Sequence, residues 1–190
     1  MKIVVFLGPS LPIEDAKSIC DAIYYPPAEQ ADFLSAYLHH KPDLMVLIDG
    51  MFGQSLSIWH KEILYVLEHG VPVYGASSMG ALRAAEMHTL SMKGHGRVFD
   101  MYANGEIDGD DEVALAHADA ENGYMPLTMP LVNVRETLAA AQREGRLSQD
   151  EADAIFDIAN ATHFLERDKD SLVAAIPDPD LAAEARTCFF

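Results

Sequence analysis

Three short runs in the first half of the chain are apolar at nearly every position, and each ends in a turn of small or polar residues. Residues 2–7 stop at Gly8-Pro9-Ser10, residues 44–48 at Asp49-Gly50, and residues 71–74 at Gly75-Ala76-Ser77-Ser78. A strand with no polar face is buried on both sides, which is the condition of a parallel sheet covered by helices. Helix-like stretches fill the intervals. They cover about residues 13–23, with Pro12 near the first position, residues 29–40, and residues 57–69, closed by Gly70. A fourth opens near Ser78 and runs to about Leu90. This alternation predicts an α/β fold: a mostly parallel β-sheet with helices on both faces and right-handed crossovers.

The pattern changes after Gly94. Residues 100–121 carry eight acidic side chains and no Lys or Arg. Residues 113–117 read as a short strand, and residues 125–134 as an extended segment interrupted by Pro126 and Pro130. Helices follow at about 134–144 and 149–164, the second opened by Ser148 with Glu151 three residues on, a capping-box pattern. The tail after Glu166 reads as a weak helix and a loose end. The expected organisation is an α/β core over residues 1–120 and a mainly helical C-terminal part over residues 121–190, packed on that core.

Composition narrows the function. The chain has 190 residues and a formal net charge of -17. Nucleic-acid and anionic-membrane partners both need clustered Lys and Arg, so neither is expected. Hydrophobic residues make up 49%, enough for a sizeable core. Cys20 and Cys188 are too few and too far apart for a disulfide framework or a Cys-rich zinc motif, so a reducing, cytoplasmic setting is expected. No run approaches the roughly 18–20 apolar residues of a membrane span. The apolar start is halted at once by Gly8-Pro9 and reads as a first strand, not a signal peptide.

In an open α/β sheet, ligands bind outside the carboxyl ends of the strands. Gly8, Pro9 and Ser10, Asp49 and Gly50, and the stretch from Gly75 to Gly80 would share that rim. Strand, then Ser78-Met79-Gly80, then an Ala-rich helix has the layout of a nucleophile elbow, although Ala76 stands where an elbow prefers Gly. A hydroxyl there would meet free N–H groups and the positive end of the helix dipole. Ser77 or Ser78 could equally be a simple helix cap, and the same helix start could hold an anion or phosphate. Lys61 and His60 open the preceding helix. Dipole and partial burial would both disfavour the charge on Lys61 and suit it to act as a base, against a solvated side chain as the alternative. His60 shares a face with Ile63, Leu64 and Leu67, which suggests a core histidine. Lys93, in an expected loop, is a second candidate base, and His60, His95 or His117 could be drawn with Asp49 as a triad. Arg83 could hold a carboxylate or pair with Glu86. The acidic run 108–112 could bind a hard cation or a basic partner, or be a solvated turn.

Several ordered motifs together resemble the TfuA-like proteins. They are Phe6 to Leu11, Tyr25-Pro26-Pro27-Ala28, Ile48 to Phe52, Trp59 to Leu64, Gly75 to Glu86 and Asp110 to Ala114. Where that family leads one to expect Gly-Asp after the Pro-Pro-Ala motif, the chain has Ala31-Asp32. The resemblance implies a hydrolase-like protein that accompanies a YcaO enzyme in thioamidation of a peptide substrate. It would cleave a thiocarboxylated sulfur carrier of the ThiS type with a Ser–Lys pair, here Ser78 and Lys61, with Ser77 as the rival serine. The developing oxyanion would lie at the Met79 and Gly80 N–H groups. ATP is used by the partner enzyme, and neither a cofactor nor a metal is expected of this chain. A homo-oligomer is compatible with the sequence. The other readings are a non-catalytic adaptor for YcaO and its peptide, and an anion- or nucleotide-binding module.

Overall fold

A computed structural model describes residues 1–53 and 55–190. The chain divides into two compact units: Met1–Asp110 with Ala118–Met125, and Asp111–His117 with Pro126–Phe190. The first unit holds a five-stranded sheet of β1 (Ile3–Phe6), β2 (Ile23–Tyr25), β3 (Leu44–Leu47), β4 (Val73–Ala76) and β5 (Lys93–His95), in the order β2-β1-β3-β4-β5. Every pairing is parallel, with Phe6 opposite Tyr25 on one side and Leu47 on the other, and Leu47 opposite Gly75. The α/β expectation holds, and the strand order is the flavodoxin-like one.

Register explains which face each helix covers. Val4, Phe6, Met45, Leu47 and Val73 point to one side and are all buried. Helices α2 (Asp32–His40), α3 (His60–Glu68) and α4 (Ser77–Met87) pack there through Phe33, Ile63, Val66, Ala81 and Ala84. On the other face, Val5 and Leu7 meet Ala16 of α1 (Ile13–Ile19). The expected helix 13–23 ends early because Ile23–Tyr25 joins the sheet. The Tyr24 hydroxyl then donates to the carbonyls of Ala16 and Cys20, closing α1. Lys93 lies in β5, not in a loop, and α5 (Arg97–Ala103) follows it. A side chain at Gly94 would collide with the ring of Phe99, so glycine lets α5 lie close against this edge strand.

Glu62 ties two helix starts together. It is buried, and its carboxylate accepts the N–H groups of Ala31 (2.9 Å), Leu34 (3.3 Å) and Trp59 (3.2 Å). These are the orphan donors of α2 and α3. Ala31, where the resemblance leads one to expect glycine, has φ +76.

The second unit contains α6 (Leu131–Arg143), α7 (Gln149–Ala161), α8 (Lys169–Ala174) and α9 (Pro179–Phe189). Its core includes Leu131, Val134, Leu138, Ile155, Leu172 and Phe189. The Ser148–Glu151 capping box forms as expected. The tail forms two helices rather than one and a loose end, because Asp168 and Asp178 cap them. The expected strand 113–117 does not form. Those residues are held by the side chain of Thr128, which accepts the Ala116 N–H at 2.7 Å, and by a single bridge between His117 and Pro126. Arg135 grips the buried Glu112 at 2.7 Å, and the buried Arg167 reaches the Asp111 carboxylate at 3.4 Å and the carbonyls of Ala159 and Thr162 at 3.0 Å. Burial pushes the Arg167 guanidinium down from its ordinary pKa, and the Asp111 carboxylate opposes that shift. Two acids of the run 108–112 are thereby held by arginines. Among the described residues, no cluster of His, Cys, Asp or Glu is arranged to hold a metal ion, and no helix is long and apolar enough to cross a membrane.

Candidate functional site

The strand order 2-1-3-4-5 switches direction between β1 and β3, and open sheets of this kind bind ligands beyond the carboxyl ends of the strands at that point. Two residues past β3, Asp49 is only 1% exposed. Its Oδ2 accepts the N–H groups of Gly8 (2.8 Å) and Ser10 (3.1 Å), and its Oδ1 accepts the Ser10 hydroxyl at 2.7 Å. The carboxylate thus shapes the whole turn after β1. The Pro-Pro-Ala motif braces it from the side: Ala28 donates to the Asp49 carbonyl, and Met51 donates back to that of Ala28. Gly8 leaves no room for a Cβ beneath Pro27, and Gly50 none beside Met79.

The third strand end supplies a serine. Ala76 is still extended, with φ -151 and ψ 164, and Ser77 then turns into the left-handed region at φ +59. Ser78 (φ -48, ψ -125) is also non-helical, so regular helix begins at Met79. A non-glycine residue held at positive φ stores strain, and such strain concentrates at working sites. The Gly-x-Ser spacing of an elbow therefore falls on Gly75 and Ser77, not on Ser78. Ser77 Oγ lies 2.9 Å from Ser10 Oγ. The helix start is pressed onto β3: the Gly80 N–H donates to the Ile48 carbonyl at 2.9 Å, and a Cβ on Gly80 would collide with the Leu47 carbonyl oxygen. Gly80 is therefore not a free oxyanion donor, contrary to the expectation from spacing. Ser78 and Met79 are the first-turn N–H groups left beside Ser77.

The remaining candidates, His117 excepted, lie elsewhere on the same unit. His60 is exposed, not a core histidine, and its Nε2 is 2.8 Å from Glu86 Oε2. The same oxygen receives Arg83 Nη1 at 2.7 Å, so the local pairing of Arg83 is realised. Glu86 stands seven residues beyond Met79, where regular helix begins, which is about 10 Å along α4. Lys61, next to His60, is exposed and makes no hydrogen bond or ion pair with either serine or any other described residue. Lys93 lies over the Tyr74 ring and 3.3 Å from its hydroxyl. His95 is opposite Ala76 in the ladder, and His117 belongs to the second unit.

Sequence reading named Ser10 as a rim residue and Asp49 as a rim residue or the acid of a histidine triad, and did not join them to Ser77. The contacts span 39 and 67 positions, and no local pattern reports them. Tyr124 was missed altogether. It holds a left-handed φ of +58, and its Cβ is 3.5 Å from where a Gly8 side chain would begin. Burial pushes its phenol above the usual range, helped by Asp119 and Glu29. The Asn122-Gly123 pair before it was the available turn signal.

The fold and site define a flavodoxin-order α/β protein with a serine on a strained strand-to-helix turn beside a buried carboxylate. Residues 49–168 match the model of the TfuA-like protein family, and the chain belongs to that family. The match runs past the last of the recognised motifs, at Ala114, into the second unit. Membership associates the chain with YcaO-dependent modification. A search of curated proteins finds no match.

Proposed function

We propose that the chain is a hydrolase-like sulfur-delivery protein that cleaves a thiocarboxylated carrier of the ThiS type and assists a YcaO enzyme in thioamidating a peptide. The observation that carries this reading is the Ser77 hydroxyl, presented on a left-handed turn at the start of α4 and 2.9 Å from Ser10. Ser77, rather than Ser78, is the nucleophile in this reading. Its Oγ bonds to the thiocarboxylate carbon, and the developing oxyanion meets the N–H groups of Ser78 and Met79. Collapse breaks the carbon–sulfur bond and releases hydrosulfide, leaving the carrier as an ester on Ser77. Water then attacks the ester and restores the hydroxyl. The sum is thiocarboxylate plus water giving carboxylate plus hydrogen sulfide.

Intact-mass spectrometry of a thiocarboxylated carrier incubated with the protein tests this. Wild type and Ser78→Ala are expected to exchange the carrier's sulfur for oxygen, and Ser77→Ala is not. A carrier left intact by wild type would contradict the hydrolase reading and favour the adaptor, with Ser77 a structural turn.

A further inference from the structure

The partner that Ser77 finds in this structure is a second hydroxyl, not an imidazole or an amine. Hydrogen-bond bookkeeping fixes the direction of that contact. Asp49 Oδ2 already accepts two backbone N–H groups, and Oδ1 lies 2.7 Å from Ser10 Oγ. A carboxylate only accepts, so the single Ser10 proton points at Asp49. In the 2.9 Å contact Ser77 must then be the donor and Ser10 the acceptor. The three groups form a one-way chain from Ser77 through Ser10 to a carboxylate shielded from water.

We propose that Ser10 and Asp49 act as a proton relay that activates Ser77, in the role the family resemblance gives to Lys61. The inference rests on Ser77 being the nucleophile. As the Ser77 oxygen bonds to an electrophilic carbon, its proton passes to Ser10 Oγ, and the proton of Ser10 passes to Asp49 Oδ1. When the leaving group departs, it takes the proton from Ser10 Oγ, and Asp49 Oδ1 returns its own to Ser10, so Asp49 and Ser10 end as they began. Backbone donors on Oδ2 hold the carboxylate still while Oδ1 works. Ser10 is exposed, so substituting it does not open the core.

A serine-directed fluorophosphonate probe tests the relay without any sulfur carrier. The readout is the rate of adduct formation, located by peptide mapping, in wild type, Ser10→Ala and Ser10→Thr of matched melting temperature. Wild type should label at Ser77. Ser10→Ala should slow labelling by about 10²-fold or more, and Ser10→Thr, which keeps the hydroxyl, should recover to within about tenfold of wild type. Labelling of Ser10→Ala at the wild-type rate, failure of Ser10→Thr to recover, or no adduct on wild-type Ser77 would each overturn the relay. If the probe behaves as expected but the carrier is not cleaved, the relay stands and the sulfur-delivery reading fails.

Discussion

Replacing Ser77 by Gly and, separately, by Ala divides the backbone of the turn from its hydroxyl. Both variants lose Oγ and its hydrogen bond to Ser10, an exposed contact of about 0.5–1.5 kcal/mol, so that loss cancels between them. What remains is the conformation. At φ +59 a residue with a Cβ sits about 1–2 kcal/mol above one without. The greater freedom of Gly in the unfolded chain offsets about 0.4–1 kcal/mol of that. Taking the middle of both ranges, Ser77→Gly should be more stable than Ser77→Ala by about 0.8 kcal/mol, or about 2–3 °C in melting temperature for a chain of this length. A serine in ordinary helical geometry gives the opposite order, because Gly costs about 1 kcal/mol against Ala there. Thermal unfolding followed by circular dichroism reads the difference. An Ala variant as stable as the Gly variant, or more so, would refute the strained turn and with it the choice of Ser77 over Ser78.

Other outcomes follow from the same geometry. Gly80→Ala would drive a Cβ into the Leu47 carbonyl, so it should destabilise by about 1–3 kcal/mol in urea unfolding and lower activity by shifting the start of α4 away from β3. Ala31→Gly should stabilise by about 0.5–1 kcal/mol, because Ala31 stands at φ +76 with its N–H fixed by Glu62. The Glu151 carboxylate accepts the Ser148 hydroxyl and N–H, which hold its pKa below the ordinary carboxylate range. A lowered folded pKa contributes stability above the ordinary carboxylate range, and that contribution is lost as pH falls through the folded value. An NMR titration should find Glu151 titrating lower in the wild type than in Ser148→Ala.

The parts of the fold that could be read in the sequence were those with local causes. β1, β3 and β4 are short apolar runs stopped by turns, and α7 announces itself through Ser148 and Glu151. β2 and β5 were hidden for different reasons. Ile23–Tyr25 continues the apolar content of α1 and becomes a strand only by pairing with β1. Lys93–His95 is an edge strand of two polar residues around a glycine, with none of the usual strand composition. Residues 113–117 look like a strand because they are apolar, but the Ala116 N–H is taken by the Thr128 side chain rather than by a neighbouring strand. At the site, the serine turn and the rim were legible. The identity of the strained serine was not, because two adjacent serines leave the choice to backbone torsions. Nor was the Asp49–Ser10–Ser77 chain, which exists only once β1, β3 and β4 lie side by side.

The most direct measurement is the position of the covalent ester during turnover. A thiocarboxylated carrier, quenched with acid in the first turnovers and digested, should leave its C-terminal acyl group on the peptide containing Ser77 and Ser78, with fragment ions placing it on Ser77. An acyl group on Ser78 or Lys61, or turnover with no covalent species at all, would contradict the account.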